Sequence, residues 1–391
     1  MKRIINFLAA ALLATGCIYD FTPDLGEISD HRVVIESDLL IGEVCQVSLT
    51  YVMTMGSTTG RTYPSNQIKA YLESEDGTVY EGAAVSVGCV SLDLTSAATD
   101  TRYRLHVTDN DTQKDYVTDW MDVQKAAVID ELSYIPGDAV MNVGISMHAN
   151  NQKFFRWRYE ETWEYHSVYQ AAYYYTPKNQ LPDTEQAFYP NGKISEFQDG
   201  ENIYYCWSKR QSSEILIFST KEQNDDRFVD LEFHSIAQSD ARLSILYYIK
   251  VYVSTMSEDA YNYWSNIQTN SDYNGSLFAP NPSEMRGNIS CVQSPEDQVL
   301  GFIYVSETAT ADLFIDNYET DFYKANKSSN EDPETCEDSA QWGTLYRQGK
   351  LPVEMVSDIP EQYSWVSKYC VDCRLLGGTK NKPDFWPNYH K

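Results

Sequence analysis

Alternating apolar and polar residues begin at Val33 and recur along the chain to about residue 124. The run from Cys45 to Tyr51 has a period of two, which predicts a strand with one buried face. Asp76-Gly77 separates two further runs, as expected at a hairpin turn. About seven short strands in about 95 residues predict an immunoglobulin-like or transthyretin-like β-sandwich over residues 31–124.

Strand-like apolar runs continue through residues 125–391. Phe154–Tyr159 and Leu243–Val253 are rich in aromatic and β-branched residues, which favour pleated sheets. One helix is also predicted, because Thr255 and Glu258 fit a capping box and the apolar residues after them recur on one face. We therefore expect a mainly β protein whose second, larger β-rich domain carries a short helix packed on its sheet.

Residues 166–204 form a long polar and aromatic insertion with no periodicity. A structureless loop of this length is uncommon in a compact domain unless it has a function. Exposed aromatic side chains give a large contact area at little entropic cost, so the segment is a candidate binding surface. The alternative is a lid that folds back on its own domain. The candidate contact residues, taken from the slightly longer segment Trp163 to Tyr205, are Trp163, Tyr165, Tyr169, Tyr173, Tyr174, Tyr175 and Tyr189.

The amino terminus carries an export signal. Lys2 and Arg3 precede a short apolar stretch, too short to span a bilayer, which ends in Ala14-Thr15-Gly16-Cys17. Small residues before a cysteine are typical of a lipoprotein cleavage site. We therefore predict that residues 1–16 are removed, that Cys17 is lipidated, and that residues 17–30 are a polar tether.

Seven of the eight cysteines lie after Cys17. An exported chain is oxidised, so disulfides are expected, and an odd number of cysteines leaves one unpaired. The candidates are Cys45, Cys89, Cys206, Cys291, Cys336, Cys370 and Cys373. Cys45 and Cys89 lie on candidate strands and are predicted to bridge. Cys370-Val371-Asp372-Cys373 has metal-binding or thiol-exchange spacing, but we expect at least one of its cysteines to pair with a distant partner.

The chain has 57 acidic and 30 basic residues, a formal net charge of −27, which argues against nucleic acid as a partner. No His-Glu-x-x-His, Gly-x-Ser-x-Gly or phosphate-binding glycine loop occurs, so no cofactor, metal or catalytic residue is predicted. Glu160, Glu161 and Glu164 are close enough in sequence for a glycosidase pair, but alternate strand residues face opposite ways. We expect a protein that is not an enzyme.

An ordered set of short motifs carries a family resemblance. The set consists of Asp20-Phe21-Thr22-Pro23, Val33-Val34-Ile35-Glu36, Glu160-Glu161-Thr162-Trp163-Glu164, Cys206-Trp207, Ser257 to Trp264, Gly287-Asn288-Ile289 ahead of Val299-Leu300-Gly301, Cys370-Val371-Asp372-Cys373 and Pro383-Asp384-Phe385-Trp386. Together they resemble uncharacterised Bacteroidota lipoproteins, classed as a domain of unknown function, whose genes often lie beside TonB-dependent receptors. The resemblance implies an outward-facing, lipid-anchored position in the outer membrane beside a receptor barrel. Because Ile18-Tyr19 and a single Asp20 follow Cys17 in place of the acidic run that usually directs such lipoproteins to the cell surface, the periplasmic leaflet stays open as an alternative.

Three functional hypotheses follow. The first is a non-enzymatic subunit that captures a ligand for a TonB-dependent transporter, with the ligand itself unspecified. The second is a structural or assembly component of an outer-membrane complex, for which β-sandwich modules are equally suitable. The third is a hydrolase whose site the sequence does not reveal.

Overall fold

The computed structural model describes residues 32–52, 61–198, 203–223, 225–272, 287–323 and 332–388. The predicted signal peptide, Cys17 and the tether lie outside these residues. The chain is mainly β with a few short helices, which confirms the predicted fold class.

In chain order, the strands of the described residues are β1 (Arg32–Ser37), β2 (Leu39–Leu40), β3 (Val44–Val52), β4 (Arg61–Thr62), β5 (Lys69–Ser74), β6 (Val79–Glu81), β7 (Ala83–Ser86), β8 (Cys89–Asp93), β9 (Arg102–Asp109), β10 (Lys114–Thr118), β11 (Met121–Gln124), β12 (Val128–Pro136), β13 (Val140–His148), β14 (Phe154–His166), β15 (Tyr173–Thr176), β16 (Lys193–Glu196), β17 (Tyr205–Gln211), β18 (Leu216–Ser219), β19 (Arg227–Ala237), β20 (Leu246–Thr255), β21 (Ile289–Cys291), β22 (Val305–Ser306), β23 (Thr308–Asp316), β24 (Glu334–Cys336), β25 (Lys350–Asp358) and β26 (Glu361–Ser367). The helices are α1 (Asp183–Gln186), α2 (Glu258–Asp272), α3 (Asn317–Thr320) and α4 (Trp342–Arg347).

The amino-terminal region is a two-sheet sandwich. One sheet has the order β1-β3-β8-β7, with β4 paired to β3. The other has the order β2-β22-β11-β9-β10-β21, with β5 paired to β9 and β6 to β5. Alternate side chains from both sheets, such as Leu49 and Leu105, point into one core, as the period-two pattern predicts.

Two strands of this sandwich come from much later in the chain. β22 lies between β2 and β11 and pairs in parallel with both, while β21 pairs with β10. Ile289, Val299, Ile303 and Val305 belong to the same buried core as the strands before residue 124. The first sandwich is therefore not built from residues 31–124 alone, because residues 289–306 complete its second sheet.

A second sandwich follows. Its sheets have the orders β12-β13-β19 and β17-β14-β20-β23, with β18 paired to β14. β14 is 13 residues long, and its core-facing residues Phe155, Trp157 and Tyr159 are buried with side chains from β13 and β20. The opposite face of β14 carries other contacts, which are described below.

The predicted helix is present, but its cap differs from the prediction. Ser257 Oγ accepts a hydrogen bond of 3.2 Å from the Ala260 amide, so Ser257 caps α2. Thr255 is the last residue of β20, and its buried hydroxyl donates to the Lys125 carbonyl oxygen. α2 buries Ala260 against Met256 and Tyr304, beside the partly buried Phe154 and Ile217 of the second sandwich.

A third layer contains much of the predicted insertion. β15 and β16 form a hairpin within residues 166–204, with α1 between them. The prediction of a structureless insertion is wrong for these residues, because the hairpin packs on a three-stranded sheet of order β24-β26-β25 and on α4. No helix in the described part of the chain is long and apolar enough to cross a membrane.

The cysteine pairing corrects one expectation and confirms another. Cys206 and Cys373 form a disulfide with Cα atoms 5.8 Å apart, as expected for a link from the Cys370–Cys373 motif to a distant cysteine. The predicted Cys45–Cys89 bridge is wrong. Cys45 pairs in register with Leu92 and faces the core, whereas Cys89 pairs with Ser48 on the outer face. The free thiols among the described residues are Cys45, Cys89, Cys291, Cys336 and Cys370.

Candidate functional site

Two of the seven predicted contact residues lie on β14 and hold the disulfide region together. Tyr165 is buried, and its hydroxyl donates a 2.8 Å hydrogen bond to the Cys373 carbonyl oxygen. Trp163 is half-buried and packs on the cluster formed by Tyr165 and the two disulfide cysteines. These two aromatic residues are therefore part of the packing of the carboxy-terminal chain.

The three tyrosines of β15 differ in exposure. Tyr175 is 7% exposed, and its ring lies 5.8 Å from Trp365 and 5.2 Å from Tyr346, measured between ring centroids. Tyr173 packs edge-on against Tyr363. Tyr174 points the other way, is 37% exposed and lies beside Phe197. Tyr175 and Tyr173 are thus mostly core, whereas Tyr174 presents a face to solvent.

Tyr169 and Tyr189 are separated from this group. Tyr169 is half-buried and packs on the small core that contains Val366 and Val371. Tyr189 is exposed, and the Lys193 ammonium lies 4.9 Å from the centre of its ring. The structure therefore brings Tyr174 and Tyr175, rather than all seven residues, to one potential binding site.

That site consists of two adjoining cavities, which we call together the hairpin cleft. Both are lined by Tyr175, Tyr346 and Arg347, where the hairpin meets α4. The amide cavity, of about 570 Å³, is lined in addition by Pro177, Lys178, Asn179, Gln180, Gln186, Pro190, Asn191, Ala340, Gly343 and Thr344. The basic cavity, of about 540 Å³, is lined in addition by Tyr174, Phe197, Ile203, Gly349, Lys350, Leu351, Lys368, Asp372, Arg374 and Leu375. Each volume is in the range of small-molecule sites.

The hairpin geometry that shapes the cleft depends on one glycine. Gly192 has a φ of +89°, and a Cβ atom there would lie 2.4 Å from the Tyr175 hydroxyl oxygen. That hydroxyl donates a 2.8 Å hydrogen bond to the Asn191 carbonyl oxygen. Tyr175 can therefore lie under the turn before β16 only because position 192 has no side chain.

The residues on the far side of the cleft, Tyr346, Arg347, Lys350 and Lys368, were not predicted as site residues. They lie more than 140 positions after the tyrosines and show no motif of their own. Only the packing of the hairpin on the carboxy-terminal sheet and α4 brings them near Tyr174. The aromatic excess in residues 166–204 was the signal that pointed to this site.

A second cluster centres on Glu161, whose side chain is fully buried. Its Oε1 accepts from Tyr247 Oη at 2.7 Å and from the Arg242 guanidinium, and lies 3.1 Å from His234 Nε2. Its Oε2 accepts from Arg210 Nε at 2.8 Å. Burial raises the pKa of Glu161, but the hydrogen bonds from His234 and Tyr247 and the charge of Arg242 outweigh burial and lower it to about 2.

Glu164 lies on the other face of β14. It is buried beneath Trp386, whose Nε1 donates a 2.8 Å hydrogen bond to Glu164 Oε2, and beside His166 at 2.9 Å. Glu161 and Glu164 therefore face opposite sides of one sheet, and this pair cannot flank a single scissile bond. Nowhere in the described part of the chain do three or more His, Cys, Asp or Glu side chains form a potential metal site.

Two β-sandwiches and an appended layer with a ligand-sized cleft define a mainly β protein with a candidate binding site. By sequence, the chain belongs to the family described as "Domain of unknown function (DUF4249)", whose model matches residues 18–312. Comparison with curated proteins found no match. The matched residues include the hairpin, while β24, β25, β26 and α4 on the far side of the cleft follow the matched region.

Proposed function

We propose that this protein is a lipid-anchored, non-enzymatic subunit that captures a ligand beside a TonB-dependent outer-membrane receptor. The observation that carries the proposal is the hairpin cleft, an open site of two ligand-sized cavities that combines exposed aromatic rings with polar side chains. In this proposal the lipid on Cys17 anchors the protein to the membrane. The receptor partner is expected from the family resemblance.

The contrast between the Glu161 cluster and the hairpin cleft also favours ligand capture over hydrolysis. Glu161 is ionised at neutral pH and has its hydrogen-bonding capacity taken up by four neighbouring side chains, so it is unsuited to donate a proton. The residues that line the hairpin cleft instead present side chains typical of recognition, such as Tyr174, Tyr346 and Asn191.

The receptor part of the proposal is tested by copurification. The full-length protein, tagged at its carboxy terminus, is recovered from native outer membranes in mild detergent, with a Cys17→Ala variant as the control. We expect a receptor barrel to be recovered with the lipidated protein and the Cys17→Ala variant to leave the membrane fraction. Recovery of the lipidated protein without any barrel would contradict the proposal.

Gene deletion separates capture from an assembly role. Loss of growth on a particular nutrient, with an intact envelope, supports capture for uptake. A general envelope defect, such as sensitivity to detergents on every nutrient, would instead support the structural or assembly hypothesis.

A further inference from the structure

The charge of the hairpin cleft is opposite to that of the whole chain. The two cavities are lined by five basic side chains, Lys178, Arg347, Lys350, Lys368 and Arg374, and by one carboxylate, Asp372. The chain as a whole has 57 acidic and 30 basic residues. A basic cluster of this kind in so acidic a protein requires a specific explanation.

The carboxylates near the cleft neutralise only part of this charge. Arg374 donates to both carboxylate oxygens of Asp372, from Nε at 2.8 Å and from Nη2 at 2.7 Å, and Lys350 Nζ lies 2.7 Å from Glu334 Oε2. Arg347 donates to the neutral Thr344 hydroxyl, and the Lys368 ammonium lies 5.5 Å from the centre of the Tyr369 ring. Within the described residues, Arg347 and Lys368 form no ion pair with a carboxylate.

The geometry points to an acidic oligosaccharide as the ligand of the hairpin cleft, and we propose this class on the basis of the proposed capture function. Arg347 and Lys368 would bind its carboxylate or sulfate groups. Tyr174 and Tyr346, which are 37% and 36% exposed, offer ring faces on which sugar rings can stack. In the adjoining amide cavity, Asn179, Gln180 and Asn191 present amide donors and acceptors that match hydroxyl groups.

The negative charge of the rest of the protein does not exclude such a ligand. At physiological ionic strength, exposed charges are screened beyond about 8 Å, so the nearby cations dominate the potential in the cleft. Distant carboxylates slow the approach of an anion more than they weaken its contacts.

The test is a calorimetric titration of the full-length chain in neutral detergent with four probes. These are an oligogalacturonate hexamer, a chondroitin sulfate hexamer, neutral maltohexaose and hexaglutamate. We expect at least one acidic saccharide to bind at submillimolar Kd, with affinity falling several-fold between 50 and 300 mM salt, and no binding of the other two probes. Absence of acidic saccharide binding, or equal binding of maltohexaose, would overturn the inference, and binding of hexaglutamate alone would replace it with an acidic peptide.

Matched variants locate the site. R347Q/K368Q should weaken binding at least tenfold, whereas K69Q/K209Q removes the same charge from exposed positions outside the cleft and should leave the affinity within twofold. Each single substitution is measured too, so that a folding defect of one variant does not decide the outcome. Equal losses in the two double variants would overturn the assignment to the cleft. If a receptor barrel copurifies but no acidic saccharide binds, the proposed ligand class is rejected, whereas the proposed capture function still stands.

Discussion

Tyr174 and Tyr175 are neighbours in sequence but have different roles. Tyr175 is buried under the hairpin turn, so Tyr175→Ser should cost about 3 to 5 kcal/mol, as for other buried aromatic side chains. Tyr174 is exposed at the cleft, so Tyr174→Ser should cost less than about 1 kcal/mol and weaken ligand binding. Urea unfolding of both variants measures this difference. Equal losses of stability would show that Tyr174 is also core.

Glu161 is a fully buried carboxylate of the second sandwich. Removing it with Glu161→Gln leaves the Arg242 guanidinium and His234 without their buried anion, and we expect a loss of roughly 3 kcal/mol. Glu160→Gln is the matched control, because Glu160 lies on the opposite face and is bound to the Gln211 amide. Chemical denaturation at pH 7 compares the two. If Glu160→Gln lost as much stability as Glu161→Gln, the effect would come from removing any negative charge from β14 and not from the buried contacts of Glu161.

The lowered pKa of Glu161 predicts that the stability of the protein depends on pH. The pKa of Glu161 is lowered from 4.5 to about 2 in the folded protein. Its contribution to stability is therefore fully present above about pH 4.5 and is lost as the pH falls towards 2, because protonation then favours the unfolded chain. The stability difference between the wild type and Glu161→Gln should shrink between pH 5 and pH 3. Denaturation at several pH values measures this difference, and a constant gap would contradict the prediction.

At the level of elements, the Cys206–Cys373 disulfide links β17 to the chain that follows β26. It joins cysteines 167 positions apart, so Cys373→Ala should cost about 2 to 5 kcal/mol by freeing the unfolded chain. Cys370→Ala, three positions earlier, removes only a half-buried free thiol and should cost much less. Mass mapping of the unreduced protein checks the link itself. A bridge between Cys370 and Cys373 would rule out this pairing.

At the level of the whole molecule, the first sandwich depends on a distant segment. Without residues 289–306, strands β2 and β11 lose β22, the strand that lies between them, and the core loses Ile303 and Val305. A fragment of residues 31–124 should therefore show no cooperative unfolding, whereas the same fragment joined by a linker to residues 287–306 should regain it. Circular dichroism during thermal unfolding distinguishes the two. Cooperative unfolding of the short fragment would show that β21 and β22 are dispensable.

The sequence alone determined the features that depend on local pattern. Period-two alternation identified strands such as the one around Val47, since a strand with one buried face repeats every two residues wherever its partner lies. The aromatic excess of residues 166–204 pointed to the hairpin that forms one wall of the cleft. The same periodicity predicts that Glu161 and Glu164 point to opposite faces of the strand. It does not predict which residues pack on each face.

Only the tertiary structure decided the features that depend on pairing between distant residues. The local sequence around Val305 carries no information on its partners, and here it pairs with Leu39 and Val123. The same reason explains why Cys45 and Cys89 were paired wrongly, because the register between β3 and β8 decides which face each cysteine takes. Arg347 and Lys368 reach the cleft because the hairpin packs on the carboxy-terminal sheet and its helix, more than 140 residues away in sequence, where local chemistry gives no signal.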